Sequence, residues 1–138
     1  MAQWVAGAVL ALWLIVLSVT DLRQRRLPNT LTLPGALVIL LGAVTCGRGA
    51  AALTGAAALA GLYLMLHLLS PGGMGAGDVK LALGLGGVTG ALGAQVWVLA
   101  ALGAPLLTVA WALAARARVL PHGPSMCLAT ALAVVTCR

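Results

Sequence analysis

Apolar residues run almost unbroken along the chain, and charges, prolines and glycines interrupt them at only a few short points. The runs cover about residues 3–20, 31–46, 50–69, 78–89, 91–115 and 125–136. Largely uncharged runs of about 18 residues or more are read as membrane-spanning helices, because lipid offers no partner to an unpaired backbone group. A spanning β-barrel would instead show alternating segments of about ten residues. The pattern therefore predicts an all-α membrane protein, a polytopic bundle of about six transmembrane helices. Runs two, four and six are short for a hydrocarbon core of about 30 Å, which takes about 20 residues, so they are expected to tilt or to thin the bilayer. Between the first two runs, Pro28 sets a turn, and Asn29 or Thr30 is expected to cap the helix that follows.

Composition agrees with this class. With 62% hydrophobic and 7% charged residues and a mean hydropathy of +1.12, the chain has more apolar surface than a soluble domain of its size could hide. The net charge of +6 does not imply nucleic acid, because the basic residues sit in short loops between apolar runs, where membrane topology explains them. The start, MAQW, carries no Lys or Arg, whereas Arg23, Arg25 and Arg26 follow the first run. That asymmetry argues against a removable signal peptide and puts the N-terminus outside. With six alternating helices, Arg23, Arg25, Arg26, Lys80, Arg116 and Arg118 fall on the cytoplasmic side and Arg48 and Arg138 on the outer side, as expected for a multi-pass protein of the inner membrane.

The remaining polar and aromatic residues change the picture little. Cys46, Cys127 and Cys137 form no CxxC pair, so neither a zinc site nor a disulfide framework is implied, although Cys46 and Cys137 fall on the same outer side. Trp4, Trp97, Trp111 and Tyr63 are expected as interface anchors and Trp13 as a packing residue. His67 is read as a helix-packing or interfacial residue, and His122, in a Pro/Gly loop, is expected to face water.

The chain has two acids, Asp21 in VTDLRQRRLPN and Asp78 in GGMGAGDVKL. The expected topology places both at the cytoplasmic face, at one membrane depth. An ionisable group in or near hydrocarbon costs at least about 2.5 kcal/mol on insertion scales and is a functional candidate by default. Two carboxyls brought together resist double ionisation and share a proton, which supplies both an acid and a base. Such a pair activates water against a peptide carbonyl and then protonates the leaving amine, with no metal, cofactor or covalent intermediate. Taken singly, each acid also has a structural explanation: Asp78 precedes an apolar helix, where an N-cap belongs, and Asp21 could balance Arg23 or Arg25. Gly75 and Gly77 clear side chains from beside Asp78 and permit positive φ in its turn. Gly84, Gly86, Gly87 and Gly90 continue a small-residue face, with Gly86 and Gly90 at GxxxG spacing, suited to close helix packing. Lys80 lies on a different helix face from Asp78, where it can snorkel.

VTDLRQRRLPNTLTLP and GGMGAGDVKLALGLG closely resemble the two catalytic segments of the type IV prepilin peptidases, GxGD membrane aspartic proteases. The resemblance implies catalytic roles for Asp21, with Arg25, Arg26, Pro28 and Asn29 behind it, and for Asp78, with Gly75, Gly77 and Lys80 around it. LPHGPSMCLA resembles the segment opening the family's last helix, carried here by Pro121, Gly123 and Pro124, with His122 and Ser125 where bulkier apolar or aromatic residues are common in the family. The three matches span residues 18–128. The N-terminal domain of larger members, with paired cysteines and N-methylation activity, has no counterpart here. The resemblance thus implies one peptidase-only membrane domain over residues 1–138, like those of Flp/Tad-type pili.

Three function classes follow. The leading expectation is an endopeptidase that cuts the leader from prepilin-like proteins of a pilus or secretion assembly, with the lipid bilayer as its other partner. A small proton-coupled carrier and a catalytically silent scaffold of such an assembly are the alternatives. A carrier usually holds its acids near the bilayer midplane, often within internal repeats, whereas both acids here are expected at one interface. The oligomeric state leaves no mark in the sequence.

Overall fold

The structure, a computed structural model, describes residues 1–72, 75–118 and 120–137. Gly73 and Met74 of the glycine-rich stretch, and Arg138 of the expected outer charges, lie outside the described residues. Among the described residues six helices follow one another: α1 (Ala2–Gln24), α2 (Asn29–Thr45), α3 (Gly49–Leu69), α4 (Ala76–Leu92), α5 (Ala94–Ala115) and α6 (Gly123–Thr136). Among the described residues there is no strand. Three helices, α1, α3 and α5, are long and apolar enough to cross a membrane. Their outward faces carry large apolar side chains such as Leu12, Ile15, Leu102 and Leu106, each more than half exposed, as suits a surface met by lipid rather than water.

Helix boundaries moved in physically informative ways. α1 runs past Asp21 to Gln24 and stops where Arg25 turns left-handed, φ 51°, with its N–H returned to the Asp21 carbonyl. α4 starts at Ala76 rather than Asp78, because Gly75 takes the N-cap position and leaves Asp78 in the first turn. α2 has Pro28 as its N-cap with no side-chain cap bond, so neither Asn29 nor Thr30 caps it. Pro34 and Pro105 lie inside α2 and α5 without ending them, as prolines do where neighbouring helices and hydroxyls satisfy the freed groups. Hydroxyls such as those of Ser18 and Thr89 donate to the carbonyl one turn back, which removes their own need for water.

α4 is the hub, packed on α2, α3, α5 and α6, while α1 packs on α6 and α2. Its glycines make this possible. Gly86 and Gly90 abut Gly55 of α3 so closely that a Cβ on Gly86 would strike the Gly55 carbonyl and one on Gly90 the Ala51 carbonyl. Gly84 and Gly87 meet α2 instead, against Ala36 and Leu40, and the Trp13 ring of α1 lies against both Gly84 and Gly35. The expected close-packing face is therefore two faces, one per neighbour. Trp13 packs as expected, its indole N–H donating to Leu31 O at 3.0 Å. Trp97 also packs, partly buried and donating to Gly55 O at 3.0 Å, rather than serving as a free anchor. At the opposite end of the bundle, Arg48 Nη1 donates to Ala91 O at 2.8 Å and ties the α2–α3 connection to the end of α4.

Because the atoms opposite Gly86 are backbone, which cannot rotate away, Gly86→Val is expected to destabilise the protein by about 1–3 kcal/mol through overpacking. Gly61, with nothing within 4 Å of its Cβ position, is the control: Gly61→Ala should leave the thermal midpoint in detergent unchanged or raised.

Candidate active site

Both acids lie at the end of a buried helical stripe. Leu14, Leu17 and Asp21 recur at the three- and four-residue spacing of one helix face, and Asp21 is 6% exposed while Arg23, Gln24, Arg25 and Arg26 stay exposed. On α4 the stripe is Asp78, Leu81, Ala82, Leu85 and Thr89, with Asp78 at 9%. Each helix thus carries its acid inward on the face that packs, where a charge balancing Arg23 or Arg25 in solvent would point outward.

The connections α1–α2, α3–α4 and α5–α6 meet at one end of the bundle and enclose a cleft of about 750 Å³. The first motif contributes Asp21, Arg25, Arg26, Pro28 and Asn29. The second contributes Gly75, Gly77, Asp78 and Lys80, and the third Pro121 and His122. Asp21 and Asp78 are within electrostatic reach of one another. Gly123 and Pro124 do not line the cleft; they open α6 behind it.

Each carboxylate is held by a backbone N–H. Asp78, third residue of α4, accepts from the N–H of the N-cap residue Gly75, one half of a capping box. It is thus a first-turn acid that satisfies the helix start without being the N-cap itself. Asp21 Oδ2 accepts from Gly123 N at 3.0 Å across 102 residues of sequence, so α6, which has no local side-chain cap, is capped by the acid of α1. A carboxylate at a helix N-terminus is favoured there by the dipole and the unpaired N–H groups. Gly123 is needed for this contact: any Cβ would collide with the Asp21 carboxylate.

The two motif glycines act through space rather than through backbone freedom. Gly75 has φ −76° and Gly77 is helical, so the positive φ that glycine permits is not used at either. A Cβ on Gly77 would press on Leu27 at 3.1 Å, whereas among the described residues one on Gly75 would meet only Asp78 Oδ2, at the ordinary contact distance of 3.7 Å. Lys80 does not simply snorkel: Nζ donates to Asn29 Oδ1 at 2.7 Å and joins α4 to the start of α2.

Several residues escaped sequence reasoning. Leu27, buried between exposed Arg26 and half-buried Pro28, is the floor on which Gly77 rests; an apolar residue in a basic loop was its only signal. His122 is half-buried in the wall of the cleft rather than free in water. Its ring bonds the Tyr63 hydroxyl at 2.8 Å through Nε2 and the Thr108 hydroxyl at 2.6 Å through Nδ1. Burial holds its imidazole below the usual histidine range. Tyr63 is correspondingly no interface anchor: it is 3% exposed and continues the buried stripe of Ala52, Ala56, Leu59 and Ala60 on α3. A lone tyrosine on such a stripe needs a polar partner, and that was the legible clue. Cys46 and Cys137 are free and exposed, and Cys127 is free and buried. Among the described residues, no three His, Cys, Asp or Glu side chains gather where a metal ion could be held.

A family model, that of the type IV leader peptidase family, matches residues 8–115, which include both acids and end before the third motif. No curated protein and no solved structure matches the chain.

The contrast between two glycines tests the geometry. Gly123→Ala is expected to cost about 1–3 kcal/mol, because the Asp21 carboxylate must move from its bond, whereas Gly75→Ala should cost under about 1 kcal/mol, the loss of a favourable N-cap residue. Thermal unfolding of the two variants in one detergent gives the comparison.

Proposed function

The chain belongs to the type IV leader peptidase family, and from that premise we propose that it is a membrane aspartic endopeptidase that removes the leader from prepilin-like precursors, with Asp21 and Asp78 as its catalytic pair. The observation that carries this reading is convergence: both acids of the chain open into one cleft with residues of all three motifs.

The chemistry follows from two acids in a recess. One carboxyl keeps the shared proton and the other stays a base. The base takes a proton from water as the water oxygen bonds to the peptide carbonyl carbon, and the acid gives its proton to the carbonyl oxygen. The newly protonated base then gives its proton to the leaving nitrogen while the other carboxylate takes one from a hydroxyl of the tetrahedral intermediate, and the C–N bond breaks. The Gly123 and Gly75 N–H groups each occupy acceptor sites on one carboxyl and fix its direction, leaving the other lone pairs for water. The missing side chain at Gly75, 3.7 Å from Asp78 Oδ2 at its Cβ position, leaves an extended substrate backbone that much more room to approach.

In this reading all six helices span the inner membrane, with the N-terminus outside and the cleft at the cytoplasmic face. The charge distribution supports it. Arg23, Arg25, Arg26, Lys80, Arg116 and Arg118 belong to the cleft end of the bundle and Arg48 to the opposite end, as the positive-inside rule requires. The substrate would be a pilin-like component of a pilus or secretion assembly, presented from the lipid phase.

Asp21→Asn and Asp78→Asn, co-expressed with a type IV prepilin, are each expected to lower cleavage by about 10²–10⁴-fold, seen as retained leader on an immunoblot. Normal cleavage by either variant would sink the pairing. For orientation, a membrane-impermeant maleimide added from the outer side should label Cys46 and Cys137 and spare buried Cys127; labelling of Cys46 only after lysis would reverse the topology.

A further inference from the structure

The peptide joining His122 to Gly123 is planar, with its C=O and N–H pointing in opposite directions. Its oxygen accepts the Met126 N–H at 3.0 Å and its N–H donates to Asp21 Oδ2 at 3.0 Å. Whatever sets the orientation of this one peptide therefore sets the direction from which Asp21 is held. On the backbone side it is restrained by the fixed φ of Pro121 and by the bond from Met126. The side chain of His122 adds a restraint from two other helices.

Hydrogen-bond bookkeeping assigns the ring's tautomer. The Thr108 hydroxyl oxygen lies 3.1 Å from Ala104 O and 2.6 Å from His122 Nδ1. A carbonyl can only accept, so for both contacts to be hydrogen bonds the single Thr108 hydrogen must go to Ala104 and Thr108 Oγ1 must accept from Nδ1–H. His122 Nε2 then carries a lone pair, which accepts the Tyr63 O–H at 2.8 Å. This assignment leaves no hydrogen of the chain Tyr63, His122, Thr108 without an acceptor, in a region where an unmet polar group costs about 1–3 kcal/mol. The ring is thus gripped from α3 and from α5 while its own backbone opens α6. It also stacks at a tilt on Tyr63, with ring centroids 5.6 Å apart.

We propose that His122 is a positioning residue for Asp21: its imidazole, clamped between Tyr63 and Thr108, holds the Gly123 N–H on the Asp21 carboxylate. This rests on the reading of Asp21 as catalytic, but its geometric content is measurable without activity. His122 stands in the cleft wall, but both of its ring nitrogens are taken by Tyr63 and Thr108, so in this scheme it acts on Asp21 through Gly123.

The test uses the full chain in detergent, labelled at histidine and glycine with nitrogen-15. The His122 ring, distinguished from His67 by its loss in His122→Leu, should show the Nδ1–H tautomer, and an Nε2–H ring would overturn the assignment. Hydrogen exchange at the Gly123 amide should speed up by about tenfold in His122→Leu, with the amides of α4 unchanged; unaltered Gly123 exchange would overturn the proposal. In cleavage of a purified type IV prepilin, His122→Leu should lower kcat by about tenfold with KM little changed, and His122→Gln, whose amide oxygen can still accept from Tyr63, should recover part of the loss. If His122→Leu does not fold, Thr108→Val removes the grip on Nδ1 at nearly constant volume and is read by the same exchange measurement and the same kcat. Wild-type kcat in these variants, beside inactive Asp21→Asn and Asp78→Asn, would refute positioning and leave the pair standing. Normal cleavage by Asp21→Asn would refute the pair while the Gly123 exchange still reports on the clamp.

Discussion

The arrangement depends on backbone meeting backbone where α4 lies on α3. Apolar burial alone cannot hold helices together in lipid, since lipid is as apolar as leucine, so association rests on close contact and on hydrogen bonds between helices. Gly55, Gly86 and Gly90 give that contact by having nothing to interpose. Once α4 is seated this closely, the stripe from Thr89 to Asp78 faces the centre of the bundle, and the position of Asp78 follows from the helix axis. Asp78 is therefore placed by residues up to three turns away, none of which lines the cleft.

Asp21 reaches the same cleft by a different route. α1 has few helix neighbours, packing on α6 and α2, and its acid is secured by a single N–H from the start of α6. One carboxyl is thus carried by the rigid core of the bundle and the other is latched between its first and last helices. The Lys80 to Asn29 bond and the Trp13 to Leu31 bond close the triangle, tying α4 and α1 to the first turn of α2. The positive side chains at the rim and the two buried acids form a cleft with opposite charge at different depths.

Helix number, the short fourth helix and the convergence of the three motifs were legible because they rest on run length and on local sequence, which read the same whatever the tertiary structure. What the sequence hid was tertiary. The starts of α4 and α6 lay two residues earlier than the apolar runs implied, because Gly75 and the Asp21 carboxylate, the latter from another helix, satisfy their first N–H groups. Asn29 looked like a cap by its chemistry, but its side chain was needed by Lys80. His122 and Tyr63 looked like a loop residue and an anchor; each acquires its meaning from the other, 59 residues away. Pairings of that kind leave no periodic trace in a single chain.

The two ends of the bundle are unequal in another respect. At the cleft end the turns joining α1 to α2, α3 to α4 and α5 to α6 each carry one motif, while the Cys46–Arg48 and Gly93 connections at the other end carry none. The protein is in effect three helical hairpins, each bearing one complete third of the site at its tip. No hairpin alone holds more than one of the two acids, so the cleft belongs to the three tips together and to none of them singly. Gly123 bonds Asp21, Lys80 bonds Asn29 and His122 bonds Tyr63, so each hairpin is tied to both of the others and the tips close into a ring.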